Sequence, residues 1–166
     1  MAQSEKNNVS VIKANFDLQR KVGKGPIDET VIRKSQNLID NNTVDFAPVA
    51  LEILDRLLLA IEDSKKPQYT FEDLKEMFTR PVMELKANAA IFHYDLVGQL
   101  AAVMLGFLER IKVIDADAID IVRAHHTSLH MIVSKKISGP GGAMGESLVK
   151  ELQFACDRYY NKKFDS

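Results

Sequence analysis

The stretch that decides the fold is PVMELKANAAIFHYDLVGQLAAVMLGFLERIKVID, which covers residues 81–115. It contains no proline after Pro81, and it is rich in alanine, leucine and methionine, which are strong helix formers. A run of this length and composition predicts one long central helix. The remaining segments are shorter, so we expect them to form helices that cover this central one.

Composition predicts a soluble globular protein. The chain has 166 residues, and its 22 basic and 23 acidic side chains nearly cancel, so nothing electrostatic favours nucleic acid or an anionic membrane as a partner. Polar residues, including His93 and Asp95, interrupt the apolar run 87–108, which favours a buried helix over a membrane span. The segment MAQSEKNNVS has neither a signal nor a transit pattern, and Cys156 is the single cysteine. We therefore expect a cytoplasmic protein.

Three helices are predicted before the central stretch. The first covers residues 28–40, and the second covers residues 45–63 with two adjacent lines of apolar residues, which implies burial against more than one neighbour. The third begins at Thr70, because Thr70 and Asp73 have the spacing of a capping box. We expect this third helix to end at Pro81, since proline lacks the N–H that a helix interior needs.

Two more features follow the central stretch. Asp115 begins a helix whose start also carries Asp117 and Asp120, where negative charge meets the positive end of the helix dipole. The segment SGPGGAMG, residues 138–145, contains four glycines and one proline, which predicts a mobile loop. The last helix is expected to cover residues 146–162.

These segments predict an all-α fold, namely a bundle of four to five mostly antiparallel helices with a long central helix. We place the single helical domain at residues 27–163 and an extended N-terminal arm at residues 1–26. The predicted core consists of thirteen apolar residues. They are Leu54, Leu58, Leu85, Phe92, Leu96, Leu100, Val103, Phe107, Ile119, Val122, Leu129, Leu148 and Leu152.

Two features favour contacts with other proteins. The arm carries apolar residues, including Phe16 and Leu18, which either pack on the bundle or dock on a partner. Gly98, Ala102 and Gly106 lie four residues apart on one helical face, where another helix backbone can approach closely. This small-residue face predicts either a helix crossing within the chain or the seam of a homodimer.

Sites for metals, nucleotides and catalysis are not favoured. His126 and His130 are one helical turn apart and can bind a metal jointly, but HExxH is absent and no second cysteine supplies a further ligand. Glu146 follows Gly145 at the position where a phosphate loop has lysine. Cys156 lies on the inner side of the last helix, where a buried thiol is inert. We expect no cofactor and no enzymatic activity.

The segment HYDLVGQLAAVMLGFLE, residues 93–109, is similar to the phosphoacceptor helix of bacterial histidine phosphotransferases of the dimeric, kinase-like type. In that family, a histidine immediately before Asp-Leu accepts a phosphoryl group from the aspartate of a response regulator. Here Tyr94, not His93, stands immediately before Asp95. The resemblance implies a phosphoacceptor role for His93, in a signalling pathway of bacteria.

The sequence therefore favours a non-enzymatic regulatory or adaptor protein that acts through contacts with another protein, such as a signalling component, and forms a homodimer. Histidine phosphotransfer is the alternative function, and it predicts an exposed His93 with basic residues nearby. A helical small-ligand or metal binder is the third, and it predicts a cavity lined by His126 and His130.

Overall fold

A computed structural model describes residues 28–40 and 45–164, including the side chains of all of these except residues 39, 40 and 164. These ranges contain six helices and no strand, which confirms the predicted all-α class. The helices are α1 Glu29–Asp40, α2 Phe46–Asp63, α3 Phe71–Ile91, α4 Asp95–Arg110, α5 Ala116–Ser134 and α6 Gly142–Phe164. Among the described helices, none combines the length and the apolar character that crossing a bilayer requires.

The chain divides into two compact units after Asp40, and α1 belongs to the first of them. Asp28 caps α1 by accepting hydrogen bonds from the backbone N–H of Thr30 at 2.8 Å and from its hydroxyl at 2.6 Å. The apolar stripe of this helix, which includes Val31, Ile32 and Leu38, is exposed. The predicted arm, with Phe16 and Leu18, lies outside the described residues.

The second unit consists of α2–α6, which share one apolar core. α4 contacts α3, α5 and α6, while α2 packs on α3 and α5. Leu54, Phe78, Leu100, Met104 and Leu129 are among the largest fully buried side chains. Each such side chain contributes about 1.5–3 kcal/mol by leaving water, so this core is the main stabilising feature of the unit.

Three helix starts in the second unit follow the sequence prediction. Asp45 accepts a hydrogen bond from the N–H of Ala47 at 3.1 Å and thereby caps α2. Thr70 and Asp73 form the predicted capping box at the start of α3. Asp115 caps α5 by accepting from the N–H of a residue in its first turn at 2.9 Å. These caps satisfy backbone donors that a helix cannot pair internally.

The predicted central helix over residues 81–115 is wrong, and so is the helix end at Pro81. α3 continues through Pro81, and the chain breaks instead at residues 92–94, before α4 begins. Pro81 removes one helical hydrogen bond. Phe78, Val82 and Leu85 are fully buried around it, so the apolar contacts of this segment hold the helix together.

The loop before α6 is shorter than predicted, because α6 already begins at Gly142. The loop is also packed against the unit rather than free. The N–H of Gly139 donates to the carbonyl oxygen of His93 at 2.7 Å, and the N–H of Leu96 donates to the carbonyl oxygen of Gly139 at 2.9 Å. These two bonds join the loop to the start of α4, which argues against the predicted mobile connector.

Most of the predicted core is correct. Eight of the thirteen residues are fully or almost fully buried. They are Leu54, Leu85, Leu96, Leu100, Phe107, Val122, Leu129 and Leu152. The other five are half-buried at the edge of the core, namely Leu58, Phe92, Val103, Ile119 and Leu148.

Candidate interaction site

An open groove of about 630 Å³ lies between α2 and α3, and we call it the α2–α3 groove. Residues 64–70 connect the two helices, which pack against each other. At the far end from this connection, the guanidinium of Arg56 binds the carboxylate of Glu84 at 2.7 Å. The groove is lined by Arg56, Leu59, Ala60, Asp63, Gln68, Tyr69, Asp73, Glu76, Met77, Arg80 and Pro81.

The apolar part of the groove comes from both helices. Ala60 and Pro81 are buried, Met77 is half-buried, and Leu59 stands at the rim with 60% of its surface exposed. A single exposed leucine is ordinary on a protein surface. The side chain of Leu59, however, extends an apolar groove, and it would become buried if another molecule bound in the groove.

Three of the five charged side chains in the lining already have partners. They are Arg56 with Glu84, Asp63 with Lys66 at 2.6 Å and Asp73 with the N–H of Thr70 at 2.9 Å. The bonds from Thr70 hold the pKa of the Asp73 carboxyl below its usual value, so this group is ionised at neutral pH. These three charges are therefore already paired or hydrogen-bonded within the unit.

The other two charges, Glu76 and Arg80, make no hydrogen bond or ion pair with any described residue. They lie one turn apart on α3, and both are exposed. Both also line a neighbouring trough of about 560 Å³, together with Met83. They therefore form a charged ridge between two troughs, and neither charge is paired with another described residue.

The groove is not among the features that the sequence predicts, although the sequence contains one signal for it. Leu57, Leu58 and Leu59 are consecutive, and consecutive helical side chains point about 100° apart. Leu57 is buried, Leu58 is half-buried and Leu59 is exposed. Three adjacent leucines on a helix cannot all face the core, so the sequence indicates that one of them is exposed. Only the packing of α2 on α3 shows which one.

The small-residue face of Gly98, Ala102 and Gly106 is half-buried on α4. A Cβ atom at Gly98 would lie 3.9 Å from the Cβ of Ala89, and one at Gly106 would meet nothing within 4 Å. Neither glycine is thus needed for a close crossing within the described residues. The homodimer seam stays a prediction.

His93 lies in the connection between α3 and α4 rather than on a helix. Its backbone is left-handed, with φ 58°, and the N–H of Tyr94 donates back to the carbonyl oxygen of Ala89 at 2.9 Å. This is a Schellman-type helix end, in which glycine usually holds the left-handed position. The side chain of His93 is exposed, as phosphotransfer requires, but it lacks the helical placement that the resemblance implies.

Replacing His93 by glycine is expected to raise the free energy of unfolding by about 0.5–1 kcal/mol. A residue with a Cβ atom in the left-handed conformation destabilises the folded state by about 1–2 kcal/mol, and glycine removes this strain. The greater conformational freedom of glycine in the unfolded chain offsets part of that gain in stability. Urea unfolding of the wild type, His93→Gly and His93→Ala measures the effect. We expect no gain for the alanine variant, and equal stabilities for all three would contradict the proposed strain.

His126 and His130, the candidate pair for a jointly bound metal, do not form a metal site together with other described residues. The Nε2–H of His126 donates to the carbonyl oxygen of Leu54 at 3.1 Å, so this nitrogen is already used. His130 is exposed, and its Nδ1 lies 3.4 Å from the hydroxyl of Ser134. In the described part of the chain, no three metal-ligating side chains come together. His126 is thus a buried residue that links α5 to α2.

His125 is fully buried, and one of its ring nitrogens lacks a partner. Nδ1–H donates to the carbonyl oxygen of Ile121 at 2.9 Å, which leaves the lone pair on Nε2 buried without a hydrogen bond among the described residues. Burial lowers the pKa of His125, and it lowers the pKa of His126 as well. Protonation would place a charge inside the unit with no acceptor for the new N–H.

Acidification is therefore expected to destabilise the protein. Below the unfolded-state pKa of about 6.5, these histidines bind protons in the unfolded chain but not in the folded chain. Each buried histidine therefore lowers the free energy of unfolding by up to about 1.4 kcal/mol for each pH unit of acidification. Urea unfolding between about pH 7.5 and pH 5.5 measures this loss. His125→Leu should reduce it, whereas the exposed His93→Asn should retain it. An unchanged pH dependence in His125→Leu would exclude His125 as a cause.

Cys156 is buried, and burial raises the pKa of its thiol to about 12. The reactive thiolate is therefore scarce at neutral pH. This agrees with the prediction that Cys156 faces inward on the last helix. Its apolar surroundings favour a packing role for this side chain.

Comparisons with known proteins give no relative from which a function could be transferred. The chain matches no protein-family model. It likewise matches no curated protein and no solved structure.

Proposed function

We propose that the protein is a non-enzymatic regulatory or adaptor protein of the cytoplasm, a bundle of mostly antiparallel helices that acts through contacts with another protein. The α2–α3 groove is the observation that supports this proposal. It combines an exposed leucine, a half-buried methionine and two charges that pair with no other described residue. Protein interfaces have this anatomy of an apolar centre with a polar rim.

Cross-linking capture with matched variants tests the proposal. The purified full chain carries a photoreactive group, and capture from cells of the source organism is compared between the wild type, Leu59→Glu and Phe154→Glu. Leu59 is 60% exposed in the groove, and Phe154 is 55% exposed on α6, so both changes place a charge at a similarly exposed apolar site. Circular dichroism confirms that each variant is folded.

We expect the wild type and Phe154→Glu to capture the same partner, and Leu59→Glu to capture it at least about tenfold less well, as for the loss of an interface hot spot. Equal capture by all three proteins would contradict a function for the groove. Loss of capture with Phe154→Glu alone would show that the interaction surface lies on α6 instead.

We further propose a homodimer through Gly98, Ala102 and Gly106. The open space above Gly106 and a depression of about 450 Å³ beside Gly98 support a surface that a second helix can approach. Light scattering on the wild type and on Gly106→Leu tests the seam, because the leucine side chain would fill the space. We expect a dimer that becomes a monomer in the variant, and a monomeric wild type would exclude the seam.

A further inference from the structure

We infer that the α2–α3 groove binds an amphipathic helix of a partner protein, with one basic side chain facing Glu76 and one acidic side chain facing Arg80. This inference rests on the proposed function and names the chemistry of the partner. Three features of the groove support it, namely its length, its openness and two charged side chains that have no partner in the described part of the chain.

The length of the groove suits two turns of helix. Arg56 and Asp63 mark its two ends on α2 and are seven residues apart, which corresponds to about 10.5 Å along the helix axis. An amphipathic helix presents apolar side chains at positions i, i+3 or i+4, and i+7, which span the same distance. Its apolar face would therefore contact Leu59 and Met77, and a third helix would fill the space beside α2 and α3.

The openness of the groove favours a macromolecule over a small ligand. Pockets for small ligands enclose most of the ligand surface. Here Leu59 stands at the rim, and both Glu76 and Arg80 are exposed, so a small molecule would remain largely in water. A helix that lies along the groove would cover Leu59 and would bring its own side chains to the ridge on α3.

The charges define what the partner must carry. Glu76 and Arg80 are one turn apart on α3 and have no partner among the described residues, whereas Arg56, Asp63 and Asp73 are already paired. A complementary helix therefore carries a basic and an acidic side chain about one turn apart, next to its apolar face. Such pairs at the rim of an interface determine which partner binds more than how tightly it binds.

A displayed library of helical peptides of about 14 residues, selected against the purified full chain, tests the inference. We expect the enriched peptides to share the apolar spacing and to carry one basic and one acidic residue beside it. Fluorescence anisotropy of labelled peptides then gives their affinities. Leu59→Glu should weaken binding at least about tenfold, and Phe154→Glu should leave it unchanged.

A charge exchange tests the predicted contact with Glu76. Glu76→Lys should weaken the enriched peptide about fivefold, and replacing the basic residue of that peptide by glutamate should restore its affinity. Glu151→Lys is the matched control, because Glu151 is an exposed acid on α6 outside the groove, and it should not change binding. Arg80→Glu should likewise weaken binding of the enriched peptide, and replacing the acidic residue of that peptide by lysine should restore its affinity.

Several results would overturn the inference. They are no enrichment of helical peptides, enriched peptides whose binding is insensitive to Leu59→Glu, and a loss of affinity with Glu76→Lys that no change of charge in the peptide restores.

The same experiments separate this inference from the proposed function. If Leu59→Glu abolishes capture from cells while no helical peptide binds, the proposed function stands and the helical partner is excluded. If peptides bind at the groove but nothing is captured there from cells, the proposed function fails. If the wild type self-associates and Leu59→Glu is a monomer, the occupant is a second copy and the inference is wrong.

Discussion

Replacing Leu100 by alanine is expected to lower the free energy of unfolding by about 2–5 kcal/mol, the usual loss for a cavity in a core. Leu100 is fully buried on α4, the helix that contacts α3, α5 and α6. Because α4 is packed against three helices, the core around it cannot close on the space left by the side chain without losing contacts elsewhere. Urea unfolding of the wild type and the variant measures the loss.

Leu59→Ala is the matched control for this experiment. It makes the same chemical change at a leucine that is 60% exposed, so we expect an effect within about 0.5 kcal/mol. A loss below about 0.5 kcal/mol for Leu100→Ala would show that this face of α4 is not in the core. A large loss for Leu59→Ala would show instead that the rim of the α2–α3 groove is needed for stability.

The features that the sequence predicts well are local ones. The caps at Asp45, at Thr70 with Asp73, and at Asp115 each depend on residues within three positions along the chain. The all-α class depends on helical spacing of apolar residues within single segments. The buried positions of Leu54, Leu100 and Leu129 follow from the same spacing, because each lies on the apolar face of its helix.

The features that the sequence predicts badly depend on distant residues. The break between α3 and α4 is held by Phe46, whose ring centroid lies 5.1 Å from that of Phe92 and 4.9 Å from that of Tyr94. No window of sequence around residue 93 contains Phe46, so the left-handed His93 could not be expected from local spacing. Pro81 is a similar case, because the contacts that keep α3 continuous come from the surrounding core.

The α2–α3 groove also depends on residues that are distant along the chain, so local sequence patterns do not predict it. A groove is a relation between two helices, and the exposure of Leu59 depends on how α2 packs on α3. The sequence predicts an interaction surface at Gly98, Ala102 and Gly106 instead, because regularly spaced small residues can be recognised within a single segment. Whether Glu76 and Arg80 lack partners depends on every neighbouring side chain, and spacing along α3 cannot reveal it.

Replacing Gly145 by alanine is expected to lower the free energy of unfolding by about 1–3 kcal/mol, the usual cost of overpacking. A Cβ atom there would overlap the carbonyl oxygen of Pro140, and it would lie 3.2 Å from both methyl carbons of Leu96. The oxygen belongs to the backbone and Leu96 is buried, so neither can move without cost. The start of α6 must then shift away from α4. Thermal and urea unfolding measure the loss.

Gly106→Ala is the control that separates this overlap from helix propensity. Both glycines are helical, and alanine is favoured over glycine within a helix by about 0.8–1 kcal/mol. A Cβ atom at Gly106 meets nothing of the same chain within 4 Å. At a protein concentration where the wild type is a monomer, so that the proposed seam does not contribute, this variant should gain stability while Gly145→Ala loses it. Opposite signs would show that contact with Pro140 and Leu96, and not the loss of glycine as such, decides the result at residue 145. A gain in both variants would mean that the loop before α6 yields easily, and that its bonds to His93 and Leu96 contribute little to stability.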